Sequence, residues 1–546
     1  MYDGPLPDLL ELKPVARIDL EATRFGITMA CAGSTSGGLF TDMLAKARPP
    51  ASSWDPAGFA NDLFLQRFAA QYFRIVTGGH EATLSTSYLT RMLASPPSDP
   101  AAVVFRREIL GELVADPALC ASLESLYHAL CRLRGLVENS GGARRFDINR
   151  HRLDTLAAAK RVFDLLANGF GGARSGLSRL AAFGAAIAAG EPYRSLSDLL
   201  AHDAELATVA LKVTVGADGR IRKFNVLTLD EASENQFTNP FWRRWLAQIE
   251  LFMRGYRFSQ AEVMARLIDS VFSGIEDELV LLVQLLGDIE LYLGALGFRD
   301  RALEAGLPVC LPAFVDRESN REIEGLFNPL LFLSGMKPIP CNLRFDSATS
   351  MLLVTGPNSG GKTRLLQSIG LTQLLAQNGL FVPAARASIA MVSGLVASLI
   401  EGTKADQAEG RLGMEMMRIR ELFERLPPNA MVLLDELCSG TNPSEGEHIV
   451  ELVLRVLHRL RPQAFITTHF LAFARRLNTA GSVPGLGFLQ VALGPDKRPL
   501  YQFERGVADS SLAEATAERL GVTGDQLLGL VEQNLRRWQT LPVGNG

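Results

Sequence analysis

The sequence lacks most of the features that would place it in an oxidising compartment, in a membrane or on bulk nucleic acid. Its six cysteines, Cys31, Cys120, Cys131, Cys310, Cys341 and Cys438, are scattered, with no CxxC pair and no histidine pair at metal spacing. That argues against a disulfide framework or a zinc site and for a reducing compartment. The start, Met-Tyr-Asp-Gly-Pro, has neither the basic nor the apolar region of a secretory signal. The longest apolar stretch, Leu279 to Phe298, contains Asp288 and Glu290, whereas a bilayer span needs about 20 predominantly apolar residues. It reads as a buried helix, and the expected location is cytoplasmic with no membrane partner. Positive charge is not in surplus either: 55 Lys and Arg against 59 Asp and Glu leave a net charge of −4. Coating of nucleic acid by bulk charge is therefore not expected, and any such surface must be local.

What is present is globular composition, 47% hydrophobic and 21% charged, over 546 residues. Single cores stop growing near roughly 250–300 residues, so the chain is multidomain. Residues 1–52 read as an N-terminal appendage. From Phe59 to about Arg161 apolar residues recur at helical spacing, as in Phe64, Phe68, Tyr72 and Ile75. The period changes over Ala210 to Leu229, where Lys212-Val-Thr-Val, a Gly216-Ala-Asp-Gly219 turn and Ile221 to Val226 predict a small inserted β hairpin. Helical periodicity resumes from Phe241 to about Leu296. From about Arg321 short apolar runs alternate with helices: Met351 to Thr355, Ser388 to Ala397, Ala430 to Leu434 and Ala464 to Thr468. This pattern predicts a largely parallel sheet with helices on both faces. The tail, Leu512 to Trp538, reads as two helices broken at Gly521-Val-Thr-Gly524.

The sharpest motif is Gly356-Pro357-Asn358-Ser359-Gly360-Gly361-Lys362-Thr363, a GxxxxGK[ST] run between a predicted strand and a helix. Glycines let such a loop wrap so that backbone N–H groups and the helix N-terminus face phosphate. Lys362 would reach the β- and γ-phosphates, and the Thr363 hydroxyl would ligate Mg²⁺. The run Met431-Val-Leu-Leu-Asp435-Glu436 ends a second strand in two acids, at the sheet edge where ligands bind in open α/β folds. Asp435 would hold Mg²⁺ through water and Glu436 would polarise the attacking water. A third strand, Phe465-Ile-Thr-Thr-His469, ends in a histidine placed to sense the γ-phosphate. Each element alone has a bland reading: a Gly-rich turn, an acidic turn, a capping histidine. Three in this order predict a P-loop ATPase using ATP and Mg²⁺.

The wording of these runs resembles one family. Thr355 to Ala384 (TGPNSGGKTRLLQSIGLTQLLAQNGLFVPA) is similar to the ATPase domain of MutS proteins, Asp435 to Gly446 (DELCSGTNPSEG) to their Walker B and following loop, and Leu326-Phe-Asn-Pro329 to their upstream Arg-His-Pro motif. The match covers about 200 residues and is nearest to the branch that carries an Smr nuclease, which this chain is expected to lack, as it is the N-terminal mismatch-reading domain. Mismatch specificity is not implied. The resemblance implies an α-helical core and lever region at 53–320 with a clamp-like insertion near 205–235, an α/β P-loop (ABC-like) ATPase domain at 321–510, and C-terminal helices at 511–546 that pair two copies as a homodimer. It also implies duplex or branched DNA as partner, in repair or recombination. Arg220, Arg222 and Lys223 on the hairpin are the candidates for contact with its phosphates, against the alternative of a solvated turn. One departure stands out. Where the family has a Ser-Thr-Phe signature acting in trans, this chain reads Gly410-Arg-Leu-Gly-Met-Glu415, so a hydroxyl is missing and hydrolysis is expected to be slow. A second reading stays open: an ATP-switched interaction protein acting on structured RNA, ribosomes or a protein partner. A transporter or chromosome-organising ATPase is disfavoured, because no Leu-Ser-Gly-Gly-Gln precedes Asp435 and no long heptad run is present.

Overall fold

A computed structural model describes residues 4–32, 37–77, 80–82, 84–139, 148–206, 210–215, 221–228, 260–357, 359–399, 411–438, 442–509 and 521–539. By packing, the chain forms two compact units, one from Met1–Arg48 and Gly111–Glu290, the other from Pro49–Leu110 and Leu291–Gly546. The N-terminal segment belongs to the first unit, where Leu9, Leu10, Ile18 and Ile27 are buried.

In the first unit, helices Pro117–Glu138, Ile148–Gly169 and Ser178–Ala189 pack on one another. Asp116 starts the first of them by accepting from the amides of Ala118 and Leu119, with Pro117 at its first position. Its buried face, Leu119, Leu123, Leu126, Leu130 and Leu133, follows the helical period, and each such side chain stabilises the fold by about 1.5–3 kcal/mol. Gly184 permits close helix approach, since a Cβ there would lie 2.3 Å from the amide nitrogen of Ala167. The 45-residue helix Gln260–Glu304 begins in this unit. It carries the one described helix segment long and apolar enough to cross a membrane, and that segment is buried inside the protein. Its Asp288 is bonded by the Arg17 guanidinium at 2.5 Å, and Arg17 also bonds Asp8. The Gln284 side chain accepts from the Arg17 amide at 2.6 Å. Asp288, a charge that looked out of place in an apolar run, thus anchors the N-terminal segment. Strands Ala210–Val215 and Ile221–Thr228 pair antiparallel, with Lys212 opposite Asn225.

The second unit holds a six-stranded sheet built from β1 (Met351–Thr355), β2 (Leu395–Ser398), β3 (Met431–Leu434), β4 (Gln463–Thr467), β5 (Leu486–Leu493) and β6 (Pro499–Arg505), in the spatial order β2-β3-β4-β1-β5-β6. The first five are parallel to their neighbours, and β6 runs antiparallel to β5 at the edge. Every residue of β1, β3 and β4 is buried, as expected for strands covered on both faces. Helix α1 (Lys362–Gln377) follows β1, α2 (Arg411–Arg425) precedes β3, α3 (Pro443–Leu457) joins β3 to β4, and α4 (Leu471–Ala480) joins β4 to β5.

A smaller sheet in the same unit contains Ala313–Phe314, Arg386–Ile389, Arg321–Leu326 and Cys341–Phe345. The run Ser388 to Ala397, read from the sequence as one strand, is split between the two sheets. Ile389 ends a strand of the smaller sheet and Leu395 starts β2, because the backbone turns through Ala390 to Gly394 in between. That turn is stitched to α1: Gln373 donates to Ala390 O at 3.0 Å, and Gln377 exchanges two bonds with Val392. Of the two C-terminal helices expected, Gly524–Gln539 is described, and the earlier one lies outside the described residues.

Candidate nucleotide site

The carboxyl ends of β1, β3 and β4 are neighbours in the sheet, so the three sequence elements that end those strands converge. After β1 the chain turns sharply at Gly356, whose φ is +139, and enters α1 through Gly361, whose φ is +83. Glycine is required here for space as well as torsion. A Cβ at Gly356 would lie 2.7 Å from Val491 Cγ2, and one at Gly360 would lie 2.8 Å from the same methyl and 2.9 Å from Pro357 O. Val491 of β5 therefore forms the floor of the loop. The Gly360 amide donates to Pro357 O at 2.9 Å and closes the turn. The first amides of α1 are left at its N-terminus, where an anion is stabilised by N–H groups and helix dipole together.

Lys362, the first residue of α1, is buried. Its Nζ donates to Gly356 O at 2.9 Å and Pro357 O at 3.1 Å, and lies 3.5 Å from Glu436 Oε1. Burial lowers its pKa from the ordinary lysine value, with Glu436 pulling the other way. The Thr363 hydroxyl donates to one carboxylate oxygen of Asp435, and the Thr467 hydroxyl donates to the other at 2.5 Å. Thr467 Oγ also accepts from the Glu436 amide at 2.9 Å. One β4 hydroxyl thus holds the Asp435 carboxylate and the Glu436 backbone. Glu436 has φ +48, an uncommon conformation for a non-glycine residue, and its backbone is held there by that bond. Cys438, two residues on, is fully buried, and burial with Glu415 beside it pushes its thiol up to about 12. It is a packed thiol and no nucleophile.

Thr363 and Asp435 present hard oxygens in direct contact, which suits Mg²⁺: this ion takes one or two protein oxygens and completes its shell with water and phosphate. Among the described residues no group of three or more His, Cys, Asp or Glu is gathered as a metal site.

Of the residues singled out in the sequence, Gly356, Pro357, Gly360, Gly361, Lys362, Thr363, Asp435 and Glu436 come together, with Ser359 in the turn of the loop. Asn358 lies outside the described residues. His469 stands just beyond β4, its ring 4.2 Å from that of Phe470. Arg222 and Lys223 belong to the strand Ile221–Thr228, and Arg220 and Gly410 lie outside the described residues. Sequence reasoning missed Thr467, which looks like an ordinary β-branched strand residue. It also left Asn328 without a role. Its side chain starts the short helix Pro329–Leu333 by accepting from the Leu331 amide, and its Nδ2 donates to Arg364 O at 2.8 Å, bracing the first turn of α1.

Residues 352–526 match the family model described as MutS domain V. The chain is 32% identical over 243 residues to a protein of Thermus thermophilus named Endonuclease MutS2, which covers 43% of this chain and 31% of that one. It is similar at 32% over 199 residues to one of that name from Streptococcus thermophilus, covering 36% and 24%, and at 33% over 190 residues to one from Streptococcus mutans, covering 34% and 24%. The matched stretch thus spans less than a third of the length of these curated relatives.

Proposed function

We propose, from the match of residues 352–526 to domain V of the MutS family, that this chain is an ATPase of that family whose ATP cycle switches its hold on duplex or branched DNA, in repair or recombination. The observation that carries the reading is the convergence of Lys362, Thr363, Asp435, Thr467 and Glu436 at the carboxyl edge of one sheet.

In this mechanism the amides at the start of α1 bind the phosphates. Lys362 exchanges its two carbonyl bonds for phosphate oxygens, which compensates the cost of burying an ammonium. Thr363 and Asp435 would hold Mg²⁺, which offsets the charge of the phosphates when bound. Glu436 accepts a hydrogen bond from the attacking water and takes its proton, positioned by the bond from its amide to Thr467. His469 would report the state of the γ-phosphate. The family's action as a clamp implies two copies, and Gly524–Gln539 supports pairing: Leu527, Leu528, Leu530, Val531 and Leu535 are all exposed along it. Arg220, Arg222 and Lys223 are the residues proposed to touch DNA phosphates.

The deciding experiment is binding of the full chain to homoduplex, mismatched, branched and single-stranded DNA and to structured RNA, with and without ATP and Mg²⁺, alongside ATP hydrolysis. ATP-dependent binding to duplex or branched DNA is expected, weakened by Arg222→Ala and Lys223→Ala, with no preference for mismatches. Binding to RNA alone would favour the interaction-protein reading. Glu436→Ala is expected to lower turnover by about 10²–10⁴-fold while ATP still binds, and wild-type turnover in that variant would refute its role. Gly410→Ser should raise the rate if the missing hydroxyl slows hydrolysis.

A further inference from the structure

At the amino end of the six-stranded sheet, opposite the nucleotide site, buried donors are left without acceptors. Arg321 opens the strand Arg321–Leu326 of the smaller sheet and is only 5% exposed. Its Nη2 donates at 2.6 Å to Thr349 O, just before β1, and its guanidinium lies 6.0 Å from the centre of the Phe345 ring. Its Nε is buried and has no hydrogen-bond partner. Arg317, half-buried in the loop before that strand, donates through Nη2 to Arg461 O at 2.8 Å, and its Nη1 is likewise buried and unpartnered. Arg461 itself is exposed and leads the chain into β4 with φ +46. Among the described residues no carboxylate forms an ion pair with any of the three, although Glu318 is adjacent to Arg317 in the chain and exposed. The cations act on one another instead. Burial lowers the pKa of Arg317, with Glu318 opposing and Arg461 adding to the shift, and burial together with Arg317 lowers that of Arg321.

The polar neighbours also lack partners: Ser350 Oγ and Gln463 Oε1 are buried with none. Phe465 and Leu352 are register partners on β4 and β1, so Gln463 and Ser350, two positions before them, stand on one face of the sheet. On that face Phe465 packs against Phe345 with ring centres 5.4 Å apart, and Phe345 pairs with Arg321. Buried polar groups without partners are rare in native structures and mark a place where a partner is missing. Water could accept from these donors, but it would not offset three positive charges gathered without an acid.

We propose that Arg317, Arg321 and Arg461 form a second anion site, which takes a phosphate group. A phosphate dianion offers acceptors to Arg317 Nη1 and Arg321 Nε in charge-assisted bonds, and Arg461 faces it from the open side. A hydroxyl on the phosphate, or on the molecule that carries it, has an acceptor in Gln463 Oε1. Five residues of β1 separate this place from the phosphate loop, roughly 17 Å of strand, so the ligand is separate from the nucleotide.

The test is calorimetric titration of the full chain with inorganic phosphate and with ribose 5-phosphate, in chloride buffer of constant ionic strength, well above the second phosphate pKa of about 6. All proteins carry Lys362→Ala, which weakens phosphate binding at the loop. Saturable binding is expected, and adding Arg317→Gln or Arg461→Gln should weaken it about tenfold or more. Adding Arg344→Gln, which removes a charge 72% exposed on the neighbouring strand, should change it less than about twofold. Tighter binding of the sugar phosphate would identify a phosphomonoester as the ligand, and tighter binding of inorganic phosphate the free ion. Absence of saturable binding overturns the proposal and leaves water as the partner of these donors. Unchanged affinity in both arginine variants overturns it as well, and so does an equal loss in Arg344→Gln, which would mean bulk charge. The two substituted arginines are the more open members of the cluster, and circular dichroism checks their folding; if Arg317→Gln fails to fold, Arg461→Gln decides.

Discussion

In the first unit the Arg17 guanidinium bonds the carboxylates of Asp8 and Asp288, all three groups buried, while Gln284 accepts from the Arg17 amide. In the second, Lys362 is buried as deeply, yet it bonds two carbonyls of its own loop and a partly open carboxylate, Glu436. Both clusters place a cation in a dry interior. The first spends it on two fixed carboxylates, Asp8 nine positions away and Asp288 271 positions away, so that it ties distant segments together. The second leaves it on partners that a ligand can replace, on a loop with glycine at 356, 360 and 361. Buried charge alone therefore does not mark a site; the exchangeability of its partners does.

That distinction can be broken by substitution, most severely at the closed cluster. Arg17→Ala should destabilise the protein by about 3–5 kcal/mol, because two buried carboxylates lose their cation, and urea unfolding followed by circular dichroism would register it. Replacing Arg17, Asp8 and Asp288 together by Met, Leu and Leu should cost far less; an equal loss would mean the cluster does more than fill space. At the open cluster, Thr467→Val keeps the shape and removes the hydroxyl that holds the Asp435 carboxylate and the Glu436 backbone, and the expected loss is about 10–100-fold in turnover or in apparent Mg²⁺ affinity, measured by steady-state hydrolysis across a metal titration. Gly356→Ala should destabilise by roughly 1–3 kcal/mol through its clash with Val491, and Val491→Ala in the same chain should return part of that. Additive effects in this double mutant would show that the floor contact is not what demands glycine.

The smallest effect concerns pH. Burial lowers the folded pKa of Lys362, so the unfolded chain holds that proton more tightly. Its contribution to stability must then rise as pH climbs from the lowered value towards about 10.4, the ordinary lysine value. Over the same window phosphate binding should weaken, giving kcat/KM an alkaline limb below the ordinary lysine pKa. A limb at or above that value would contradict the burial of the ammonium.

Much of the open site was legible because its determinants are local. The loop glycines, Lys362 and Thr363 lie within eight consecutive residues, and Asp435 and Glu436 advertise themselves after four apolar residues. What stayed hidden depends on partners distant in sequence. Thr467 matters only because β4 lies between β3 and β1, and Asn328 because its side chain reaches the carbonyl of Arg364 in α1. On β6 a bulge at Tyr501 exists only in register with β5, which jumps from Val491 opposite Phe503 to Leu493 opposite Pro499, and nothing in Pro499 to Phe503 spells it. The Ser388 to Ala397 run looked continuous because its break is made by Gln373 and Gln377 capturing the backbone, which no local propensity encodes. Asp288 was visible as an interruption of an apolar helix, while its partner Arg17 lies 271 positions away.

Being the outermost strand of its sheet, β6 offers a row of backbone groups to any other chain with an unpaired edge. Its bulge interrupts that row, Pro499 removes a donor at its start, and Lys497 and Arg498 place charge just before it. Intermolecular strand addition is denied a straight template, so the irregularity at Tyr501 guards this edge against aggregation. Straightening β6 by deleting two of the three bulged residues, Leu500, Tyr501 and Gln502, should leave a protein that is easier to precipitate.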